Sequence, residues 1–300
     1  MPLELFAPAK VNLYLHVGPP APDGYHPVSS LMVFADVGDA LRLELAEPMD
    51  FVVEGPFADT LGGAGDDNLV VRARDLLLQG SAPPTFRLTL DKRLPIAAGL
   101  GGGSADAAAA LVLVRRHLQA AGLPAPGDEA FATFARSLGA DVAACLQSVP
   151  VIATGRGDVL DPAPAFPALD AVLVNPLAPS PTGAVYRAYD AGGAPGGADG
   201  PALPTRFASA TDLVAFLAAT RNDLEGPAVA LQPLVGDVLA SLAGAPETRL
   251  ARMSGSGATC FALCADARDA QRLADGLARS GRGWWITPCR LGVGRVSSLL

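Results

Sequence analysis

The chain has 300 residues, half of them hydrophobic, with 22 basic and 30 acidic side chains and a formal net charge of −8. That length and apolar content suit two domains with substantial cores and exclude a largely disordered chain. The acidic balance and the absence of a basic stripe exclude a nucleic-acid surface, and no apolar run approaches the ~20 residues that span a bilayer. The N-terminus has no basic leader region. The four cysteines, Cys145, Cys260, Cys264 and Cys289, follow neither CxxC spacing nor a pattern with histidines. Buried thiols in a reducing, cytoplasmic compartment are therefore expected, rather than a zinc site or disulfides.

Residues 3–17, LELFAPAKVNLYLHV, alternate apolar and polar side chains as a strand does, and Pro8 predicts a break into two short strands around an irregular PAK joint. In that joint Lys10 and Asn12 lie two apart, so an extended backbone points both to one face. Only Lys10 and Lys92 are lysines in a chain otherwise served by arginine, and both lie near candidate phosphate-binding elements. Taken alone, Lys10 reads more plainly as a solvent-facing strand lysine. The cluster GPPAPDGYHPV then predicts a turn carrying Tyr25 and His26. Strands are expected at 30–37, 41–45 and 51–54. A glycine-rich turn at 61–66 precedes a helix through DLLLQ, capped by Asp66, Asp67 or Asn68.

A strand at 85–90 leads into DKRLPIAAGLGGGSADAA and a helix expected over 105–121. Glycines at 99, 101, 102 and 103 permit φ > 0 and close approach to a ligand, while a helix N-terminus offers unpaired N–H groups at the positive end of its dipole. Such a corner suits phosphate. It is not a P-loop, because no lysine separates Gly103 from Ser104. Nor is it a dinucleotide fingerprint, because Ser104 stands where the third glycine belongs.

Further along, helices are expected at 128–137 and after Asp141, whose plainest role is an N-cap. A strand at 149–154 and a hairpin turn at 155–160 follow. The proline-rich stretch 161–168 marks a boundary between domains 1–160 and 161–300. The second half opens with a strand at 171–175 and a helix containing Tyr186, and residues 190–209 read as a flexible surface insertion. Helices at 211–220, 224–230 and 234–243, strands at 250–253 and 259–264 around a second turn, SGSG, a helix at 267–280 and a strand at 284–291 complete an α+β pattern.

Three stretches in this order, PAKVNLYLHV at 8–17, PIAAGLGGGSADAA at 95–108 and MSGSGATCFAL at 253–263, resemble the GHMP kinase superfamily. DGYH at 23–26, GADVAACL at 139–146, PTGAVY at 181–186 and RNDLE at 221–225 resemble the branch whose alcohol substrate carries cytidine diphosphate. The resemblance implies two domains, ribosomal protein S5 domain 2-like and then ferredoxin-like, and an ATP-dependent phosphotransferase using Mg2+ on a small molecule, as a monomer or homodimer. It implies Asp141 as the carboxylate that takes the alcohol proton, Lys10 as the cation beside it, and Asn12 as an orienting amide. Pro95, Ala97, Ala98, Gly99, Leu100, Gly101, Gly102, Gly103, Ser104 and Ala105 would wrap the ATP phosphates, with Asn68 and Lys92 on the nucleotide side. Ser104 is available to phosphate or magnesium, whereas Ala105 stands where many relatives have a second serine, which leaves the metal ligands open. His26 would read the cytosine edge and Tyr25 and Tyr186 would sandwich the ring, while Gly255, Ser256 and Gly257 would line the site from the second domain. Tyr25, His26 and Tyr186 speak against a homoserine or mevalonate-type kinase, the trio Lys10, Asn12 and Asp141 against a non-catalytic relative, and the missing fingerprint against a nicotinamide oxidoreductase.

Overall fold

The computed structural model describes residues 3–61, 67–79, 85–193 and 197–292. The first half contains β1 (Leu3–Val17), β2 (Val28–Leu45), β3 (Asp50–Glu54), α1 (Ala58–Leu61), α2 (Leu69–Leu78), β4 (Phe86–Asp91), α3 (Gly102–Ala120), α4 (Asp128–Leu138), α5 (Ala140–Gln147), β5 (Val151–Thr154) and β6 (Val159–Pro162). The second contains β7 (Leu169–Asn175), α6 (Thr182–Ala191), α7 (Ala210–Ala218), α8 (Glu225–Leu231), α9 (Pro233–Ala243), β8 (Thr248–Met253), β9 (Cys260–Cys264), α10 (Ala267–Arg279) and β10 (Trp285–Leu291). Among the described residues no helix is long and apolar enough to cross a membrane, and all four cysteines are buried free thiols.

In the first half β1 lies antiparallel along β2, whose other pairings are to β4, β5 and β10, while β3 joins β4 in parallel. The second half is an antiparallel sheet in the order β10-β7-β9-β8, with helices between its first and second and its third and fourth strands, which is the ferredoxin-like arrangement. Among the described residues a single strand pair, Leu291 with Ala35, links the two sheets. One core lies between the first sheet and α2 to α5, a second joins β1 and β2 to β7 and α7, and a third lies between the second sheet and α6 and α8 to α10. Helix α3 is buried continuously from Ala105 to Val114. A helix apolar all round belongs in an interior, and its small alanines let β1 pass close by.

The expected break at Pro8 does not occur. β1 is one 15-residue strand whose register against β2 shifts between Pro8 and Lys10 and again between Asn12 and Tyr14. These irregularities absorb the proline, which has no N–H for a regular ladder. The two expected strands at 30–37 and 41–45 likewise merge in β2, where Gly38 runs so close to β1 that a Cβ would lie 2.2 Å from the Ala7 carbonyl oxygen. The insertion 190–209, where described, is also no free surface loop. Phe207 is buried in the second core, its N–H donates to the Ala165 carbonyl, and the Asp199 carbonyl meets His16 Nδ1 at 3.0 Å. The turn expected at 61–66 lies mostly outside the described residues.

Candidate active site

The helix after the glycine loop begins three residues earlier than its apolar pattern predicts. Gly101, left-handed at φ 62°, is the N-cap, and Ala105 N–H already donates to the Gly101 carbonyl at 2.9 Å. Gly102, Gly103 and Ser104 are therefore the first-turn residues whose N–H groups have no partner within the helix. They face a cleft of about 510 Å³, which Pro95, Ala97, Ala98 and Gly99 also line. Leu100 and Ala105, expected in the phosphate loop, place their side chains in the core, although the Leu100 carbonyl accepts from Lys10 N–H at 2.7 Å. Asn68 lines the cleft and caps α2, its Oδ1 accepting from Val70 N–H at 2.9 Å.

The third motif abuts this loop from the second half of the chain. Ser254 Oγ donates to the Gly99 carbonyl at 2.9 Å and accepts from Asn12 N–H at 3.1 Å, so one hydroxyl joins all three motifs. Asn222 Nδ2 holds the same turn by donating to the carbonyls of Met253 and Gly255. Gly255 and Ser256 line the cleft, whereas Gly257 packs behind them against Met253 and Ser180. Thr182, missed in the sequence, meets Ser256 hydroxyl to hydroxyl at 2.8 Å on the cleft wall.

Lys10 and Asp141 converge at this corner. Their Nζ–Oδ2 distance is 3.0 Å, with the lysine side chain 6% and the carboxylate 33% exposed. The solvent-facing reading of Lys10 thus fails. Asn12 Oδ1 accepts from Lys10 Nζ at 2.7 Å while its Nδ2 donates to Ser30 Oγ at 2.7 Å, so the amide is fixed and orients the ammonium. The cap reading of Asp141 fails as well: Gly139 is the N-cap of α5 and Asp141 sits in the first turn. There the positive helix end favours an anion, and the carboxylate stays open to the cleft. Gly101 brings the loop against the pair: a Cβ there would lie 3.1 Å from Lys10 Cε and 3.8 Å from Asp141 Oδ2, and its φ of +62° favours glycine.

Lys92, expected on the nucleotide side, lines the cleft from a buried position beneath the loop, its side chain 3% exposed. Its ammonium donates to Asp39 Oδ2 and, at 2.7 Å, to Asp106 Oδ2, while Asp39 Oδ1 accepts from the N–H groups of Arg93 and Leu94. Two carboxylates against one ammonium leave an excess negative charge out of water. Burial, which the Lys92 charge opposes and Asp39 reinforces, pushes the Asp106 carboxyl up to about 7, and its Oδ1 has no hydrogen-bond partner. A carboxyl with a folded-state pKa above its ordinary 3.8 holds a proton that the unfolded chain releases, so its contribution lowers stability as pH rises from about 4 to about 7. Asp106→Asn is expected to flatten that part of the stability profile, read by urea unfolding at pH 5 and pH 8. An unchanged slope would assign the proton elsewhere.

Of the three rings expected around the base, only Tyr186 is among the residues that line the cleft. His26 Nδ1 faces the Gly18 carbonyl at 2.9 Å and so donates, while Nε2 lies 3.3 Å from Asp190 Oδ1. Its ring packs on Tyr186 at a centroid distance of 5.0 Å. Tyr186 lines the cleft, and burial, reinforced by the Asp141 charge, pushes its phenol up to about 12, so it stays protonated. Tyr25 is 58% exposed, and the Arg156 guanidinium lies over its ring at 4.3 Å. Arg156, on the turn between β5 and β6, also lines the cleft and was not singled out by the sequence pattern.

Comparison with known proteins agrees with this geometry. Residues 68–148 match the GHMP kinases N terminal domain and residues 207–283 the GHMP kinases C terminal domain. A 4-diphosphocytidyl-2-C-methyl-D-erythritol kinase of Caulobacter vibrioides (strain NA1000 / CB15N) is 58% identical over 295 residues, covering 97% of this chain and all of that protein. One of Cereibacter sphaeroides (strain ATCC 17025 / ATH 2.4.3) is 47% identical over 96% of this chain and 99% of its own length. The crystal structure of a 4-(cytidine 5'-diphospho)-2C-methyl-D-erythritol kinase superposes with a TM-score of 0.75 at 36% identity, covering 97% of this chain and 100% of that one. A homoserine kinase from Cytophaga hutchinsonii, at 17% identity, a TM-score of 0.64 and coverage of 99% and 96%, shares the fold alone. With the Lys10–Asp141 pair beside the glycine corner and both domain signatures in place, the chain belongs to the GHMP kinase family, among its 4-diphosphocytidyl-2-C-methyl-D-erythritol kinases.

Proposed function

We propose that the chain transfers the γ-phosphoryl group of ATP to the C2 hydroxyl of 4-diphosphocytidyl-2-C-methyl-D-erythritol, a step of non-mevalonate isoprenoid biosynthesis. The observation that carries this reading is the 3.0 Å Lys10–Asp141 pair at the mouth of the α3 amides. The alcohol oxygen forms the new bond to the γ-phosphorus as its proton passes to Asp141. The bond from that phosphorus to the β,γ-bridging oxygen breaks, and ADP leaves. Because such a transition state is loose, the protein's work is to place the groups and offset charge. Lys10, held by Asn12, offsets negative charge near the transferred group. The first-turn amides of α3 receive the phosphates at the positive helix end.

Among the described residues no group of three or more His, Cys, Asp or Glu side chains is placed to hold a metal. Magnesium for the reaction would then arrive with ATP and keep several of its waters. When bound it would neutralise phosphate charge, and Ser104 of the loop and the unpartnered Asp106 Oδ1 are the cleft groups that would hold it. The domain division at 160/161, just inside β6, and a cytoplasmic location suited to four reduced thiols belong to the same reading. An ADP-release assay offering the cytidyl substrate, homoserine and mevalonate tests it. Turnover of the cytidyl substrate alone is expected, and comparable turnover of either small alcohol would overturn the substrate assignment.

A further inference from the structure

Among the described residues, three cationic side chains line the cleft: Lys10, Lys92 and Arg156. Lys10 is engaged by Asp141 and Asn12, and Lys92 lies between Asp39 and Asp106 beneath the loop. The chain's net charge is −8, and Asp67, Asp106 and Asp141 stand on the cleft walls. An anionic alcohol approaching such a cleft needs a local cation outside the α3 amides, which ATP takes.

We propose that Arg156 binds the diphosphate of the cytidyl substrate. The proposal rests on the function argued above and assigns a residue to the stretch of substrate between the base and the reacting alcohol. Arg156 sits at the tip of the β5–β6 turn, where its own N–H donates to Asp158 Oδ1 at 2.9 Å. The flanking glycines 155 and 157 are left-handed at φ 66° and 87°. This turn is bonded to the base-reading turn: Val28 N–H donates to the Gly155 carbonyl at 2.8 Å, and the guanidinium donates to Asp23 Oδ2. Asp23 Oδ1 in turn accepts from Tyr25 N–H at 3.0 Å. Arg156 therefore stands between Tyr25 on the rim and the cleft interior.

Its present partner is easily exchanged. The Arg156 and Asp23 side chains are 51% and 44% exposed, and a solvated pair of this kind contributes about 1 kcal/mol or less. A diphosphate offers more acceptor oxygens and more charge than one carboxylate. The guanidinium presents five donors in a planar fork, so one edge can take the diphosphate while the face stays on the Tyr25 ring. Lysine would not do both.

The competing role is that Arg156 merely braces Tyr25. Inhibition by CDP and by cytidine, each competing with the cytidyl substrate at saturating ATP, separates the two. In the wild type CDP is expected to bind more tightly than cytidine. In Arg156→Gln the CDP inhibition constant is expected to rise by about 10- to 100-fold, the loss of charge-assisted hydrogen bonds, with cytidine within about twofold. Arg156→Lys should recover part of the CDP preference, and the KM for ATP should not move. The CDP-to-cytidine ratio is internal to each variant, so a loss of folded protein does not mimic the result. Equal weakening of both ligands, or no change in either, would overturn the proposal while leaving the kinase reading intact. A wild type that binds neither CDP nor cytidine would overturn both.

Discussion

Replacing Asp141 with asparagine is expected to lower kcat by about 10²- to 10⁴-fold, the range over which a positioned proton acceptor contributes. The KM for ATP and the Kd of the cytidyl substrate are expected to stay within about threefold, because the effect belongs to the transition state and not to uniform binding. The variant keeps the shape of the side chain in the first turn of α5 and removes its ability to accept a proton. Lys10 retains Asn12 as a partner, so the corner is not dismantled. Single-turnover rates with separately measured ligand affinities check the split. An unchanged turnover rate with both ligands bound would name another base.

A large structural effect is expected at Gly99. Its φ is +73°, and a Cβ there would lie 2.4 Å from the Ser254 carbonyl oxygen and 2.9 Å from that of Gly257. Alanine in this conformation costs about 1–2 kcal/mol, and relief of a backbone collision adds about 1–3 kcal/mol more. Gly99→Ala is therefore expected to lower stability by about 3 kcal/mol, near 5–10 °C in Tm, and to cut kcat/KM for both substrates because the phosphate loop and the third motif must separate. Gly122 is the matched control. Its φ is +68° with nothing within 4 Å, so Gly122→Ala should cost about 1 kcal/mol with no loss of turnover. Equal losses in the two variants would mean that strain, not the contact between motifs, governs the site.

Local chemistry was legible wherever the determinants are close in sequence. Lys10 and Asn12, two apart in a strand, do meet, and one of the three candidate caps before α2, Asn68, is the cap. Glycines with an apolar helix behind them did mark an N-terminus, but the onset at Gly102 escaped notice because the helix includes glycines that propensity assigns to the loop. Pro8 misled for the converse reason: its partner strand shifts register around it, which no window along β1 reveals. Lys92 reaches Asp39, 53 residues away, and Arg156 reaches Asp23, 133 residues away, so their engagement depends on topology. The insertion was misread on composition, since a glycine- and proline-rich chain can still seat Phe207 in a core.

The seam at Ser254 has a mechanical consequence. Asn12, Gly99 and Ser254 share one hydroxyl, and Thr259 N–H adds a 3.1 Å bond to the Ala98 carbonyl beside it. Beside His26 the halves are bonded as well, from Val17 N–H to Asp223 Oδ2 at 2.8 Å and from the Tyr189 hydroxyl to the Val17 carbonyl. Loss of the Ser254 hydroxyl would therefore loosen the fit between the glycine loop and the first strand without releasing one half from the other.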